Sequence, residues 1–235
     1  MARKVGVLVF PGTNCQDETE YAINLTNVLT AYTILFRQIV EGSVRMTDYD
    51  AWVLPGGFSW GDHFGSGRVA GFAFGDYLRE FAETGRPMLG ICNGFQILFE
   101  AGLFQGPAGE SGGALVQNES GRFEARWTTM LALPGSPWTR GFDGTSLRLP
   151  VAHGEGRWYI PSGVPSHITP LFQYARDGVP TEEYPYNPSG TPNGYCGIAK
   201  GNIMGMMPHP ERALDNAKGS SAGRLIFNNL ALIVL

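Results

Sequence analysis

Residues 86–100 constrain this chain more than any other stretch. An apolar run enters Gly90-Ile-Cys92-Asn-Gly94, and a segment of helical period carrying Phe95, Ile97, Leu98 and Phe99 leaves it. The pattern predicts a strand, a sharp turn and a helix with Cys92 at the apex, where glycine on either side lets neighbouring backbone approach. A thiol at that apex lies over the N-terminus of the helix, whose free N–H groups and dipole favour the thiolate. Cys92 is therefore the candidate nucleophile. Taken alone, the same residues also fit a chance string around a small buried hydrophobe.

The rest of the chain supplies a frame for such an apex. Lys4-Val-Gly-Val-Leu-Val-Phe10 predicts a buried strand, and Asp17 and Glu18 suit the first turn of a helix running to about residue 29. Residues 33–37 and Ala51–Leu54 predict further short parallel strands. The second ends in Pro55-Gly56-Gly57, which can turn the Gly57 N–H toward the crevice at the C-terminal ends of the strands as an oxyanion donor. Glycines there also predict a loop able to rest in a non-productive orientation. A helix over residues 72–84, closed by Gly85 and Pro87, leads into the Cys92 segment. The glycine-rich residues 58–68 have neither the G-x-x-x-x-G-K-[ST] nor the G-x-G-x-x-G order, so no nucleotide is expected, and Asp62 and His63 read as surface loop residues. Beyond Leu103, short apolar runs alternate with Gly, Pro and Ser at 114–116, 123–133, 146–151, 158–160, 171–175, 194–198 and 202–207. They predict antiparallel or mixed strands that extend the central sheet as a β-rich layer, with a helix over 221–232 packed back on it. The expected fold class is α/β, a mostly parallel sheet with helices on both faces, in a single domain spanning residues 1–235.

Charge and cysteine usage exclude other functions. A net charge of -4 without a Lys/Arg cluster excludes a nucleic-acid partner. The longest apolar run, 225–235, is broken by Asn228 and Asn229 and is too short to span a bilayer, and Met-Ala-Arg-Lys passes straight into a strand, so a soluble, cytoplasmic protein with no membrane partner is expected. Cys15, Cys92 and Cys196 are odd in number, widely spaced and without C-x-x-C, which predicts neither a disulfide framework nor a metal site.

A thiol nucleophile needs a base, and the base needs an orienting partner. His209, in Met206-Met-Pro-His209-Pro-Glu211, is the candidate: Pro210 favours extended geometry, in which His209 and Glu211 share a side. Glu211 then accepts from one ring nitrogen and leaves the other for Cys92. Alone, this string also fits a surface turn. His153, in Ala152-His-Gly-Glu155-Gly156, has a Glu at the same spacing, but its glycines favour a substrate-binding loop over a base; His167 reads as structural or exposed. The chain order Cys, His, Glu differs from the nucleophile, acid, His order of the α/β-hydrolases.

With these residues in place, the chain resembles the class I glutamine amidotransferases, whose elbow reads G-x-C-x-G-x-Q, here Gly90, Cys92, Gly94 and Gln96. More narrowly, it is similar to the glutaminase subunits of phosphoribosylformylglycinamidine synthases. The further strings that carry the likeness are Phe10-Pro-Gly-Thr-Asn-Cys15, Leu54-Pro-Gly-Gly-Phe-Ser-Trp-Gly-Asp62, Ala152-His-Gly-Glu-Gly156, Tyr186-Asn-Pro188 and Gly205-Met-Met-Pro-His-Pro-Glu-Arg212, with residues 63–71 fitting less well. The resemblance implies a flavodoxin-like class I (type 1) glutamine amidotransferase domain acting on L-glutamine. It implies Cys92 as nucleophile, His209 as base and then acid, and Glu211 as its orienter. Backbone N–H groups of Gly57 and Asn93 would hold the oxyanion, and Gln96 with the His153-Gly154-Glu155 loop would hold the α-amino and α-carboxylate groups. Ammonia would pass to a synthetase partner that converts formylglycinamide ribonucleotide to formylglycinamidine ribonucleotide in purine biosynthesis. This chain has no ATP motif, so no cofactor is expected in it; ATP and Mg belong to the synthetase subunit, with a small accessory subunit beside it. Weak activity is expected from the chain alone. The alternatives are a stand-alone cysteine hydrolase of γ-glutamyl hydrolase or DJ-1-like type, a non-catalytic regulatory subunit, and a redox sensor acting through Cys92. DJ-1-like proteins usually take their His from soon after the elbow, where this sequence has none.

Overall fold

In the computed structural model, which describes residues 2–62 and 65–235, the continuous apolar runs become strands buried on both faces. The first half alternates strand and helix: β1 (Arg3–Val9), α1 (Gln16–Asn24), β2 (Leu29–Leu35), α2 (Phe36–Val40), β3 (Ala51–Leu54), α3 (Arg68–Glu83), β4 (Met88–Ile91) and α4 (Asn93–Glu100). The second half is mostly strand: β5 (Ala114–Val116), β6 (Glu124–Ala132), β7 (Ser146–His153), β8 (Arg157–Tyr159), β9 (Thr169–Arg176), β10 (Val179–Pro180), β11 (Tyr195–Lys200) and β12 (Ile203–Met206), closed by α5 (Gly223–Val234).

The main sheet runs β2-β1-β3-β4-β12-β11-β9-β6-β7, with β10 paired to β9. From β2 to β12 neighbours are parallel, and from β12 onward they are antiparallel. The expected β-rich extension is thus continuous with the parallel half, and only β5 and β8 form a separate ribbon. β12 is the exception among the later strands. It returns to the centre and pairs in parallel with β4, Met206 opposite Ile91.

Connections β1-α1-β2 and β3-α3-β4 step across the sheet in opposite directions, so right-handed crossovers put α1 and α3 on opposite faces. α4 packs beside α3, and α5 beside α1. Apolar residues at helical spacing turn inward: Phe74, Leu78 and Phe81 from α3, Ile226, Phe227 and Leu230 from α5. Each such burial contributes about 1.5–3 kcal/mol. No described helix is long and apolar enough to cross a membrane.

The α1–β2 boundary falls earlier than the apolar pattern predicts. Helix α1 stops at Asn24, whose side-chain oxygen accepts the Ala31 N–H at 2.9 Å, and Thr26 donates to Ile23 O at 2.8 Å while accepting from Leu29 N–H at 3.2 Å. Polar side chains therefore stitch helix end to strand start. β2 is an edge strand with Tyr32 and Thr33 exposed, which hides its apolar residues from a reading of hydrophobic runs.

Candidate active site

The predicted apex is present between β4 and α4. Cys92 has φ 50° and ψ -108°, a backbone state that costs a side-chain-bearing residue about 1–3 kcal/mol and persists only where its surroundings enforce it. Its N–H donates to Met206 O at 2.8 Å, which ties the turn to β12. Gly94 supplies the close approach: a Cβ there would lie 1.9 Å from Leu54 O of β3. The Cys92 side chain is 5% exposed, and its thiol faces Ala152 O at 3.5 Å.

Because β12 lies parallel beside β4, the chain leaves both strands at the same edge, where open α/β sheets place ligands. His209 follows shortly after β12 and is held by its N–H to Pro150 O at 2.8 Å. His209 is extended as expected (φ -102°, ψ 90°), but Pro210–Arg212 form a 3-10 turn in place of a continued strand, and it is this turn that carries Glu211 back to the ring. His209 Nδ1 lies 2.6 Å from Glu211 Oε1, with the two side chains 3% and 0% exposed. A carboxylate accepts only, so Nδ1 carries the hydrogen and Nε2 is the free nitrogen. Burial alone would make His209 less basic. The Glu211 carboxylate, and after it the Cys92 and Cys15 thiols, outweigh burial and hold the imidazole well above its usual range.

The expected oxyanion donors sit beside the apex. Asn93 opens α4, so its N–H belongs to the unpaired first turn. Gly57 follows β3 and bridges to Thr13, its place so close that a Cβ would lie 2.6 Å from Thr13 Cα. Around it, Asn14 N–H and Cys15 N–H donate to Gly56 O at 3.3 and 3.2 Å, and Phe58 N–H donates to Gly12 O at 2.9 Å. The Asn93 side chain adds a role that sequence did not suggest. Its oxygen accepts Ser59 N–H at 3.1 Å, and its amide donates to Gln96 Oε1 at 3.0 Å. Gln96 in turn donates to Glu155 O at 2.6 Å, so both ends of this expected substrate residue are engaged within the protein.

These groups open on a cavity of about 240 Å³ lined by Gly57, Cys92, Gln96, His153, Gly154 and Glu155 together with Asp62, Arg122 and Phe123. His153 ends β7 and is 2% exposed. Its Nδ1 lies 2.9 Å from Asn118 Oδ1, while the Asn118 amide donates to His153 O at 2.7 Å. The network makes Nδ1 the donor and leaves Nε2 an unpaired acceptor. Burial, with the nearby His209, pushes His153 down to about 3, so it stays neutral. His167 is a tether, between Glu110 Oε2 at 3.2 Å and Phe104 O at 3.1 Å.

Asp62 corrects the sequence reading. It lines the cavity near Glu155 instead of standing on a surface loop, and burial followed by the Glu155 charge raises its carboxyl, with a Ser66 hydrogen bond opposing. His63 lies outside the described residues. Asn118 and Arg122 were not singled out in the sequence either. Among the described residues lining the cavity Arg122 is the one cation, and no local motif marks it. A larger cavity of about 400 Å³ between residues 119–122 and 182–190 adjoins it through Arg122; among its described lining residues there is neither a cysteine nor a histidine.

Comparison with known proteins agrees with this geometry. Residues 2–225 match the CobB/CobQ-like glutamine amidotransferase domain family. The phosphoribosylformylglycinamidine synthase subunit PurQ of Pyrococcus horikoshii is 41% identical over 97% of this chain and 96% of its own length. That of Salinibacter ruber is 39% identical over 98% and 96%. A chain of the PurLQS structure from Thermotoga maritima superimposes with a TM-score of 0.81 at 31% identity, covering 98% of both chains. A glutamine amidotransferase of the same organism shares the fold, with a TM-score of 0.61 at 15% identity over 100% of this chain and 99% of that one. The chain with the strained Cys92 turn and the buried His209–Glu211 pair belongs to the CobB/CobQ-like glutamine amidotransferase family and, within it, to the PurQ subunits.

Proposed function

We propose that this chain is the glutaminase subunit of a phosphoribosylformylglycinamidine synthase. It releases ammonia from L-glutamine for a synthetase partner that converts formylglycinamide ribonucleotide to formylglycinamidine ribonucleotide. The observation that carries the reading is the meeting of the Cys92 turn with the buried His209–Glu211 pair at one sheet edge. The names of the relatives support the substrate and the reaction, and the PurLQS neighbour supports a synthetase partner. A small accessory subunit, ATP and Mg on the synthetase, and a cytoplasmic setting complete the proposal.

In the mechanism, Cys92 Sγ attacks the side-chain carbonyl carbon of glutamine while its proton passes to His209 Nε2. The oxyanion accepts from the Gly57 and Asn93 N–H groups, each contributing on the order of 3 kcal/mol. His209 returns the proton to the amide nitrogen, and ammonia leaves a thioester on Cys92. Water then attacks the thioester with His209 as base, and glutamate is released. Glu211 stabilises the imidazolium at both stages. Asp62, Glu155 and His153, which line the cavity, would receive the α-ammonium, and Arg122 the α-carboxylate. Phe58 and Phe123, ring centroids 6.2 Å apart, flank the mouth.

A glutamine analogue with an electrophilic side chain tests the assignment. It should label Cys92 and spare Cys196, which burial raises well above the usual thiol range, and Cys15, which burial also raises. Mass spectrometry reads the site. A label on another cysteine, or ammonia release by Cys92→Ala, contradicts the mechanism.

A further inference from the structure

A second thiol, which neither attacks the substrate nor transfers a proton in the proposed reaction, lies against the His209–Glu211 pair. Cys15 is 1% exposed just before α1. One donor atom each from Cys15, His209 and Glu211 lie within 4.8 Å of one another, the one such cluster among the described residues. A Cβ built on Gly56 would meet His209 Cε1 at 2.7 Å, Cys15 Sγ at 3.1 Å and His209 Nδ1 at 3.3 Å, so the sulfur and this ring edge face the same small space. Glu211 adds an independent sign: its Oε2 is buried without any hydrogen-bond partner, on a side chain that is 0% exposed.

We propose that Cys15, His209 and Glu211 form a binding site for a soft divalent cation such as Zn²⁺, and that occupation of the site switches glutamine hydrolysis off. Thiolate, imidazole and carboxylate are the donor types zinc takes in three-ligand sites, with a fourth position left for water. Zinc lies about 2.3 Å from sulfur and about 2.0–2.2 Å from nitrogen or oxygen, so its ligand atoms stand roughly 3.3–3.8 Å apart; the widest separation in the cluster closes by about 1 Å at most, and the Nδ1–Oε1 pair, now 2.6 Å apart, opens by about 0.7 Å to admit the ion. With Glu211 Oε1 already 2.6 Å from Nδ1, an ion shared by Cys15 and Glu211 takes Nδ1. The Cys15 proton goes to solvent, as does the Nδ1 proton when the ring is an imidazolium. When the ring is neutral, its hydrogen moves from Nδ1 to Nε2 as the metal takes Nδ1; in both cases Nε2 then carries a hydrogen and no longer accepts the Cys92 proton. Arg212 Nη2, 3.0 Å from Cys15 Sγ, remains a donor to the metal-bound thiolate from outside the ligand shell. Its positive charge opposes the ion, which the paired negative charges of Cys15 and Glu211 offset.

The switch rests on the role proposed for His209; the binding does not. Binding is therefore read separately, with Co²⁺ as the probe on the full-length Cys92→Ala chain, where no catalytic thiol remains. One ion per chain, a thiolate-to-cobalt absorption band and its displacement by Zn²⁺ are expected, and the band should vanish in Cys92→Ala/Cys15→Ser. With Cys92 present, Zn²⁺ should inhibit ammonia release, a chelator should restore it, and Cys15→Ser should raise the half-inhibitory Zn²⁺ concentration roughly tenfold or more while hydrolysing glutamine in the absence of metal. Thermal melts check the folding of Cys15→Ser, with Cys15→Ala as the replacement. A cobalt band that survives loss of Cys15, or that requires Cys92, overturns the site. Binding by Cys92→Ala with undiminished hydrolysis at saturating Zn²⁺ overturns the switch and counts against His209 as the base.

Discussion

Glu211 is buried where water does not reach, with Oε1 on His209 Nδ1 and Oε2 unpaired. Its contact with the ring gives any change there two readable effects. Glu211→Gln still touches the ring but no longer stabilises the imidazolium, and kcat should fall by roughly a hundredfold or more with KM little changed. A rise in KM at constant kcat would make Glu211 a substrate-binding residue. The second effect is on stability. His209 is raised in the folded protein above the unfolded value of about 6.5, so the folded state holds its proton more tightly. That stabilisation is fully present below about pH 6.5 and is lost as pH rises through the raised folded value. The Tm deficit of Glu211→Gln should accordingly be largest on the acid side of neutrality and shrink in alkali. The placement of Cys92, His209 and Glu211 in one candidate site was legible in the sequence because immediate neighbours mark each of them, Gly90 and Gly94 in one case and Pro210 in the other. Asp62 and Asn118 were not, since what gives them meaning lies far along the chain: Asn118 reads His153 from 35 positions away.

At the level of elements, the loop after β3 is more firmly held than the expectation that Pro55-Gly56-Gly57 can rest in a non-productive orientation implies. Amides of Asn14 and Cys15 hold Gly56 O, Gly12 O takes Phe58 N–H, Pro11 O takes Trp60 N–H at 2.8 Å, and Asn93 Oδ1 takes Ser59 N–H. A peptide flip at Gly57 would have to break several of these at about 0.5–1.5 kcal/mol each. The N-terminal string Phe10-Pro-Gly-Thr-Asn-Cys15 thereby acquires its physical meaning as the brace of the loop after β3. A synthetase that raised turnover by turning this peptide would work against the brace, so the structure gives no support to gating at Gly57. Asn93→Ala keeps the N–H at the start of α4 but releases Ser59 and Gln96. It should lower kcat by about tenfold, less than the hundredfold or more that follows removal of a direct oxyanion donor. Steady-state kinetics with a thermal melt separates this from unfolding; an unchanged kcat would show that the loop needs no such tie. Strand and helix existence was readable along most of the chain from the period of its apolar residues. The place of β12 was not, because periodicity says that a segment is a strand and nothing about which strand it will lie beside.

For the molecule as a whole, that placement matters most. The sheet centre is completed by β12, whose partners β4 and β11 come from either side of a long excursion through the antiparallel half. Until β12 arrives, Met88–Ile91 of β4, buried on both faces in the finished protein, has an open flank, a liability for pairing with other chains. Synthesis adds about 5–20 residues per second, so the segment bearing His209 emerges on the order of ten seconds after the one bearing Cys92. Ribosome-bound chains arrested before residue 203 should therefore take no label from the glutamine analogue at Cys92, whereas chains arrested with residues 203–235 fully outside the exit tunnel should. Labelling of the shorter chains would mean that the thiol is activated by its turn alone. The insertion of a late strand beside an early one thus acts as a timer. On the proposed mechanism, the nascent protein carries Cys92 for about half of its synthesis without His209, and chemistry begins only when the last piece of the sheet closes.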